Sequence, residues 1–350
     1  SGAVAAPLRT QPREHAELAN AIRALAMDAV EQAKSGHPGM PMGMADVATV
    51  LFERFLKFDP TAPDWPDRDR FVLSAGHGSM LIYALLYLTG YPDMTIEEIK
   101  RFRQLGSKTA GHPEYGHAPG IETTTGPLGQ GLANAAGMAL AERLLAAEFG
   151  AVAVDHYTYV IAGDGCLMEG ISHEAASLAG HQRLGGLVCI FDDNRITIDG
   201  STALTCSDDV VQRFRSYGWH VAELGDIADD CDALEAAIRA AMAVTDRPSL
   251  LVLQSHIGNP SPDLTDKHEA HGNPFTAEHV TRTKQVMGIP DEPFWAPADL
   301  VAAYRAHCAD RGVAERAAWQ TRFDGAAVQP DVWNACWSGG GVDEIGRAHV

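Results

Sequence analysis

Asp164 and Asn194 are the residues whose type and placement most directly define a chemistry. Gly163-Asp164-Gly165 closes one apolar run, and Asn194-Arg195-Ile196 closes another about thirty residues later. A carboxylate and an amide oxygen at the ends of two strand-like runs, with the Ile196 carbonyl able to turn the same way, suit a hard divalent cation. Such an ion takes oxygen ligands and keeps positions for a phosphate partner. Glycine on both sides of Asp164 lets the backbone turn sharply and lets a ligand approach the N–H groups. Singly, an Asp in a tight turn and an Asn capping a strand explain each residue. Paired at this spacing they point to a metal-bridged diphosphate, and so to a cofactor enzyme.

Four histidines form the second set. His37 lies in Ser35-Gly36-His37-Pro38-Gly39, His77 in Gly76-His77-Gly78, His112 in Gly111-His112-Pro113-Glu114, and His271 in Ala270-His271-Gly272. Each sits on a Gly- or Pro-containing loop and is expected at a strand end. Imidazole donates to an oxyanion or moves a proton near neutral pH, and both suit chemistry at a carbonyl. His15, His156, His181, His220 and His268 read as surface or structural residues. Glu169 and Glu174 flank the start of the helix after Gly165, where charge complementarity with the helix N-terminus and a functional role are equally open.

Several familiar motifs are excluded. Gly163 to Met168 lacks the third glycine of a dinucleotide fingerprint, Gly106-Ser107-Lys108-Thr109 has no glycine before its lysine, and His173-Glu174-Ala175-Ala176-Ser177 has Ser where a zinc-protease helix needs its second His. The formal charge of −19 argues against nucleic acid as a partner. The same charge means that a diphosphate must be held locally, by metal, backbone N–H groups and histidine. No apolar run is long enough for a membrane span, and the six cysteines form no C-x-x-C pair, which reads as reduced thiols in the cytoplasm.

The elements that must position these residues alternate. Amphipathic helices are predicted over Glu14 to Ala33 and Ala45 to Phe58, then a strand at Phe71 to Ser74 and a helix at Leu81 to Leu88. A Gly-rich loop from Gly126 to Gly131 precedes a helix to Phe149. Strands at 157–162, 187–191, 220–223 and 250–254 alternate with helices at 171–179 and 231–244. This rhythm predicts an α/β fold, a parallel sheet covered by helices on both faces, with ligands at the carboxyl ends of the strands. The chain divides into a lead-in (1–13), a diphosphate-binding domain (14–275), a linker (276–330) carrying an exposed helix from Ala298 to Cys308, and a tail (331–350).

In this order, Ser35-Gly36-His37-Pro38-Gly39, Gly111-His112-Pro113-Glu114, Gly126-Pro127-Leu128-Gly129-Gln130-Gly131, Gly163-Asp164-Gly165 with Asn194, and Ala270-His271-Gly272 closely resemble transketolase, a thiamine diphosphate enzyme. The resemblance runs from about Glu14 to at least Phe323. It implies the thiamine diphosphate-binding fold, with Asp164, Asn194 and the Ile196 carbonyl on Mg²⁺ or Ca²⁺. Gly165 would offer its N–H to the diphosphate, assisted by His77 and His271, while Gly126 and Leu128 would line the wall beside the cofactor rings. His37, His77, His112 and His271 would surround the substrate. Glu169, also counted with the cofactor-binding residues, and Glu174 would join a carboxylate network across a homodimer interface. The family reaction moves a two-carbon ketol unit from a ketose phosphate to an aldose phosphate in the pentose phosphate pathway, with the cofactor carrying the hard step.

The family's pyrimidine-binding domain, with its glutamate and phosphate-gripping arginines, has no counterpart in this sequence. The chain therefore reads as the first half of such an enzyme, inactive alone, with Ile345-Gly346-Arg347-Ala348-His349-Val350 matching what a sequencing adapter encodes. Dihydroxyacetone synthase, the N-terminal subunit of a split transketolase, and a cofactor-binding scaffold without activity are the alternatives. A 1-deoxyxylulose-5-phosphate synthase would lack the Gly-His-Pro-Glu context.

Overall fold

A computed structural model describes residues 12–338. Residues 1–11 of the lead-in and 339–350 of the tail, with the six adapter-like residues, lie outside the described residues.

The chain opens with α1 (Pro12–Ala33), a short α2 (Gly39–Gly43) and α3 (Ala45–Arg54), then β1 (Arg70–Leu73), α4 (Met80–Thr89) and α5 (Ile96–Lys100). A long loop leads to α6 (Gln130–Phe149), followed by β2 (Thr158–Gly163), α7 (Asp164–Met168), α8 (Gly170–His181) and β3 (Leu187–Asp192). A small hairpin of β4 (Ile196–Thr197) and β5 (Gly200–Ser201) precedes α9 (Val210–Ser216), β6 (His220–Gly225), α10 (Cys231–Met242) and β7 (Ser249–Leu253). Then come α11 (Glu269–Gly272), α12 (Ala277–Met287), α13 (Ala298–Asp324) and α14 (Pro330–Ser338).

The sheet has five parallel strands in the order β1-β2-β3-β7-β6. β2 and β3 lie inside it, and Tyr159 to Ala162 and Leu187 to Phe191 are buried throughout, which is why both read as continuous apolar runs. The chain steps one way from β1 through β2 to β3 and steps back from β6 to β7. Right-handed crossovers then place their helices on opposite faces. Accordingly α6 packs against α8, whereas α10 packs against α3.

Two helices differ from expectation. The helix predicted to Phe58 stops at Arg54, because the Lys57 N–H leaves the helical ladder and donates to the Asp69 carboxylate at 2.8 Å. The exposed helix predicted from Ala298 to Cys308 runs to Asp324 and buries Val301, Tyr304 and Cys308 in the main core, with α4 beside it. Segment 276–330 thus folds back over the domain. Lys284 on α12 is buried with Asp28 of α1, donating to both carboxylate oxygens at 3.0 and 2.9 Å, and the Phe294 N–H completes that carboxylate's shell at 2.6 Å.

Candidate active site at the carboxyl ends of the strands

Gly163 pairs in register with Asp192, so the first residues beyond β2 and β3 emerge side by side. Asp164 begins α7, and Asn194 stands two residues past β3. Asn194 is held at both ends: its Nδ2 donates to Asp192 Oδ2 at 3.1 Å, and its Oδ1 accepts from the Ile196 N–H at 3.0 Å. Asp192 is buried and takes a further hydrogen bond from Ser255 Oγ. The hairpin of β4 and β5 fixes Ile196 opposite Ser201.

Asp164, Asp192, Asn194 and Ile196 line a cavity of about 270 Å³ shared by Leu128, Gly165, Glu169, His77 and His271. Its floor is crowded with carboxyl groups. Burial, then Asp192 and Asp193, push the Asp164 carboxyl up to about 8, although the Arg195 N–H donates to it. Asp164 Oδ2 is buried and has no hydrogen-bond partner. A buried carboxylate oxygen left orphaned is costly, and a divalent cation is the partner that the chemistry here fits. It would neutralise the acidic trio, and the donors are hard oxygens.

The four histidines converge. His77 and His271 stack with centroids 4.8 Å apart, and His37 meets them edge-on at 5.2 and 5.7 Å. His112 stands 6.4 Å from His37. His77 and His271 line the cavity, with His37 and His112 a layer beyond. Only His77 directly follows a strand, on a 3₁₀ turn after β1. His37 sits between α1 and α2, His112 lies on the loop before α6, and His271 is on α11. A separate cluster of Met27, Met42, Ile257 and Ala270 binds α11 to α2, and so brings His271 to His37.

All four rings are pushed toward the neutral form. Burial, then His271, Arg103 and His112, bring His37 down to about 4. Burial, then His271, His37 and His112, hold His77 well below its ordinary value. Burial lowers His271, and burial with Arg103 lowers His112. At neutral pH the cluster is a set of uncharged imidazoles, each able to donate one N–H and accept once.

Gly126 and Leu128 support this wall. Gly126 has φ +134°, and a side chain there would lie 2.9 Å from the His112 ring. A Cβ at Gly165 would come within 2.8 Å of Leu128. Glu169 is the exposed residue before α8 and borders the cavity, while Glu174 lies on the outer surface of α8. Asp192, Ser255 and Arg103 belong to the site and escape sequence reasoning. Among the described residues, His15, Asp46 and Cys231 also cluster tightly enough for a metal. There Asp46 already binds Arg23 and His15, so the group is charge-matched without one.

Fold and site together define a parallel α/β domain with an acidic, histidine-roofed ligand cavity at the tips of its strands. The family model "Transketolase, thiamine diphosphate binding domain" matches residues 14–331, and the chain belongs to this family. It is 56% identical over 316 residues to the transketolase of Cereibacter sphaeroides, covering 90% of this chain and 48% of that protein. Identity to transketolase 1 of Escherichia coli is 54% over 310 residues, covering 88% and 46%. The chain therefore spans about half the length of these curated relatives. The transketolase structure from Campylobacter jejuni superposes with a TM-score of 0.88 at 37% identity, covering 93% of this chain and 50% of that one. The Pichia stipitis transketolase complex with sedoheptulose 7-phosphate gives 0.85 at 45% identity, covering 90% and 46%.

Proposed function

We propose that Asp164, Asn194 and the Ile196 carbonyl hold Mg²⁺ or Ca²⁺, and that this ion anchors the diphosphate of thiamine diphosphate in the cavity beneath His77 and His271. The orphaned, buried Oδ2 of Asp164 in an acidic pocket is the observation that carries this reading. Gly165, in the first turn of α7, offers a backbone N–H to the diphosphate, and Leu128 with Gly126 forms the wall beside the rings. When bound, thiamine diphosphate supplies the electron sink for breaking and making carbon–carbon bonds.

The activity proposed for the whole protein is transketolase: two-carbon ketol transfer from a ketose phosphate to an aldose phosphate, in the pentose phosphate pathway. Sugar phosphates are the partners in the Pichia stipitis structure with sedoheptulose 7-phosphate, and the same class is proposed here. The neutral imidazoles of His37, His77, His112 and His271 orient the substrate carbonyl and hydroxyls, and their N–H groups stabilise oxyanions in a site shielded from water. Residues 14–275 act as the diphosphate-binding domain and 276–330 as the connection onward. Homodimerisation is supported by exposed Leu144, Ile171 and Leu178 on the packed pair α6 and α8. Glu169 and Glu174 are exposed near that face, as a carboxylate network between subunits requires. Among the described residues no helix is long and apolar enough to cross a membrane, and all six cysteines are free, which supports a cytoplasmic setting.

Calorimetric titration of thiamine diphosphate tests this. Binding is expected with Mg²⁺ and should vanish in excess chelator; equal affinity in both refutes the metal site. Adding a separately made pyrimidine-binding half and assaying transfer from xylulose 5-phosphate to ribose 5-phosphate tests the reaction.

A further inference from the structure

Arg103 lies in none of the motifs above, yet its side chain reaches the histidine cluster. Its backbone sits at φ 63°, a left-handed conformation uncommon for a residue with a side chain. Its N–H donates to the Thr109 carbonyl at 2.9 Å, which closes the loop on that geometry. Such conformations gather where a fold must aim a side chain. The guanidinium rests against the Phe102 ring, 5.6 Å from its centroid, and Nη1 donates to Ser35 Oγ at 2.9 Å. Nη2 then lies 3.5 Å from His37 Nδ1.

An arginine has donors only. A ring nitrogen facing it must offer its lone pair, which leaves the proton of the neutral imidazole on the other nitrogen. The opposite edge of the His37 ring faces the cluster, with Cδ2 toward Gly272 and the rings of His77 and His271 in edge contact. The titratable or charged groups that face His37 are His271, Arg103, His112 and His77; the first three disfavour a second proton on it, and His37 in turn disfavours one on His77.

We propose that Arg103 is a positioning residue that fixes His37 as the tautomer protonated on Nε2, so that the ring presents an N–H, and not a lone pair, to a substrate oxygen. The role toward substrate rests on the function proposed above; the tautomer does not. His37 would then act as an oxyanion donor and not as a base. Loss of the Arg103 contact would leave the ring free to exchange its proton between nitrogens.

Long-range nitrogen–proton NMR on the chain labelled with ¹⁵N-histidine, at neutral pH without cofactor, reads the tautomer directly. In the wild type, Nδ1 of His37 is expected at the unprotonated position and Nε2 at the protonated one. In Arg103→Met the two resonances should move toward each other, with the thermal unfolding midpoint showing that the variant is folded. A wild-type ring carrying its proton on Nδ1 overturns the proposal without need of any variant. So does a folded Arg103→Met chain whose His37 pattern is unchanged. Neither result touches the cofactor reading, and failure of thiamine diphosphate to bind would leave the tautomer standing.

Discussion

Replacing Asp164 with Asn should make the metal-free chain more stable while destroying its cation site. The buried carboxyl is pushed up to about 8 from 3.8 by burial and by Asp192 and Asp193. The unfolded chain releases this proton near pH 3.8, whereas the folded chain holds it until about pH 8. Across that window the folded state binds more protons, so stability falls as pH rises. A shift of about four units corresponds to a ceiling of roughly 5–6 kcal/mol at about 1.36 kcal/mol per unit. Proton sharing with Asp192, itself raised to about 6, and structural relaxation leave about 2 kcal/mol as the working value at neutral pH, or roughly 3 °C in Tm. Asn keeps the shape and still accepts from the Arg195 N–H. Thermal unfolding in chelator from pH 5 to 8 should therefore show Asp164→Asn melting higher and with a shallower pH slope. In Mg²⁺ with thiamine diphosphate the order should reverse, because only the wild type gains ligand stabilisation, about 2.7 kcal/mol at a hundred times Kd. A metal-free variant that melts at or below the wild type at pH 8 would refute the electrostatic account, and retained Mg²⁺-dependent stabilisation would refute the ligand assignment.

On the proposed function, His112→Ala in the chain combined with a separately made pyrimidine-binding half should lower kcat roughly 10²-fold, as removal of an oxyanion donor does. Thiamine diphosphate affinity should hold, and a selective loss of that affinity in calorimetry would count against a substrate-facing role. Lys284→Met should destabilise the chain by roughly 3–5 kcal/mol in urea, since it strands the buried Asp28 carboxylate, and adding Asp28→Asn should recover part of that. A loss below 1 kcal/mol would mean the pair is not buried. Leu144→Glu with Leu178→Glu should shift sedimentation from dimer to monomer with the circular dichroism unchanged; an unaltered dimer would place the interface elsewhere.

What could be read from the residues, and what could not, divides along one physical line. Adjacent parallel strands bring their following loops together by register, so Gly163 opposite Asp192 converts a spacing of residues into a meeting of Asp164 with Asn194. The buried strands announce themselves as apolar runs, and loop glycines mark where backbone must approach backbone. Contacts made by long polar side chains leave no such trace. Arg311 on α13 donates to the carbonyls of Phe52 and Leu56 at 3.0 and 2.7 Å, and also to that of Glu53, closing the end of α3. Packing through a guanidinium adds nothing to an apolar stripe, so the pattern faded at Cys308 while the helix continued to Asp324. Arg103 was hidden for the same reason: its reach to His37 depends on a left-handed backbone and a partner 66 residues away. Asp192 falls one residue past the strand predicted at 187–191 and carries no motif, yet its carboxylate holds the Asn194 amide in place. The first layer of the site is thus encoded by register and loop composition, whereas the layer that orients it is encoded by single polar side chains whose partners only the fold reveals. Mutations in that second layer should therefore alter tautomers, amide orientation and proton affinities before they alter the shape of the cavity.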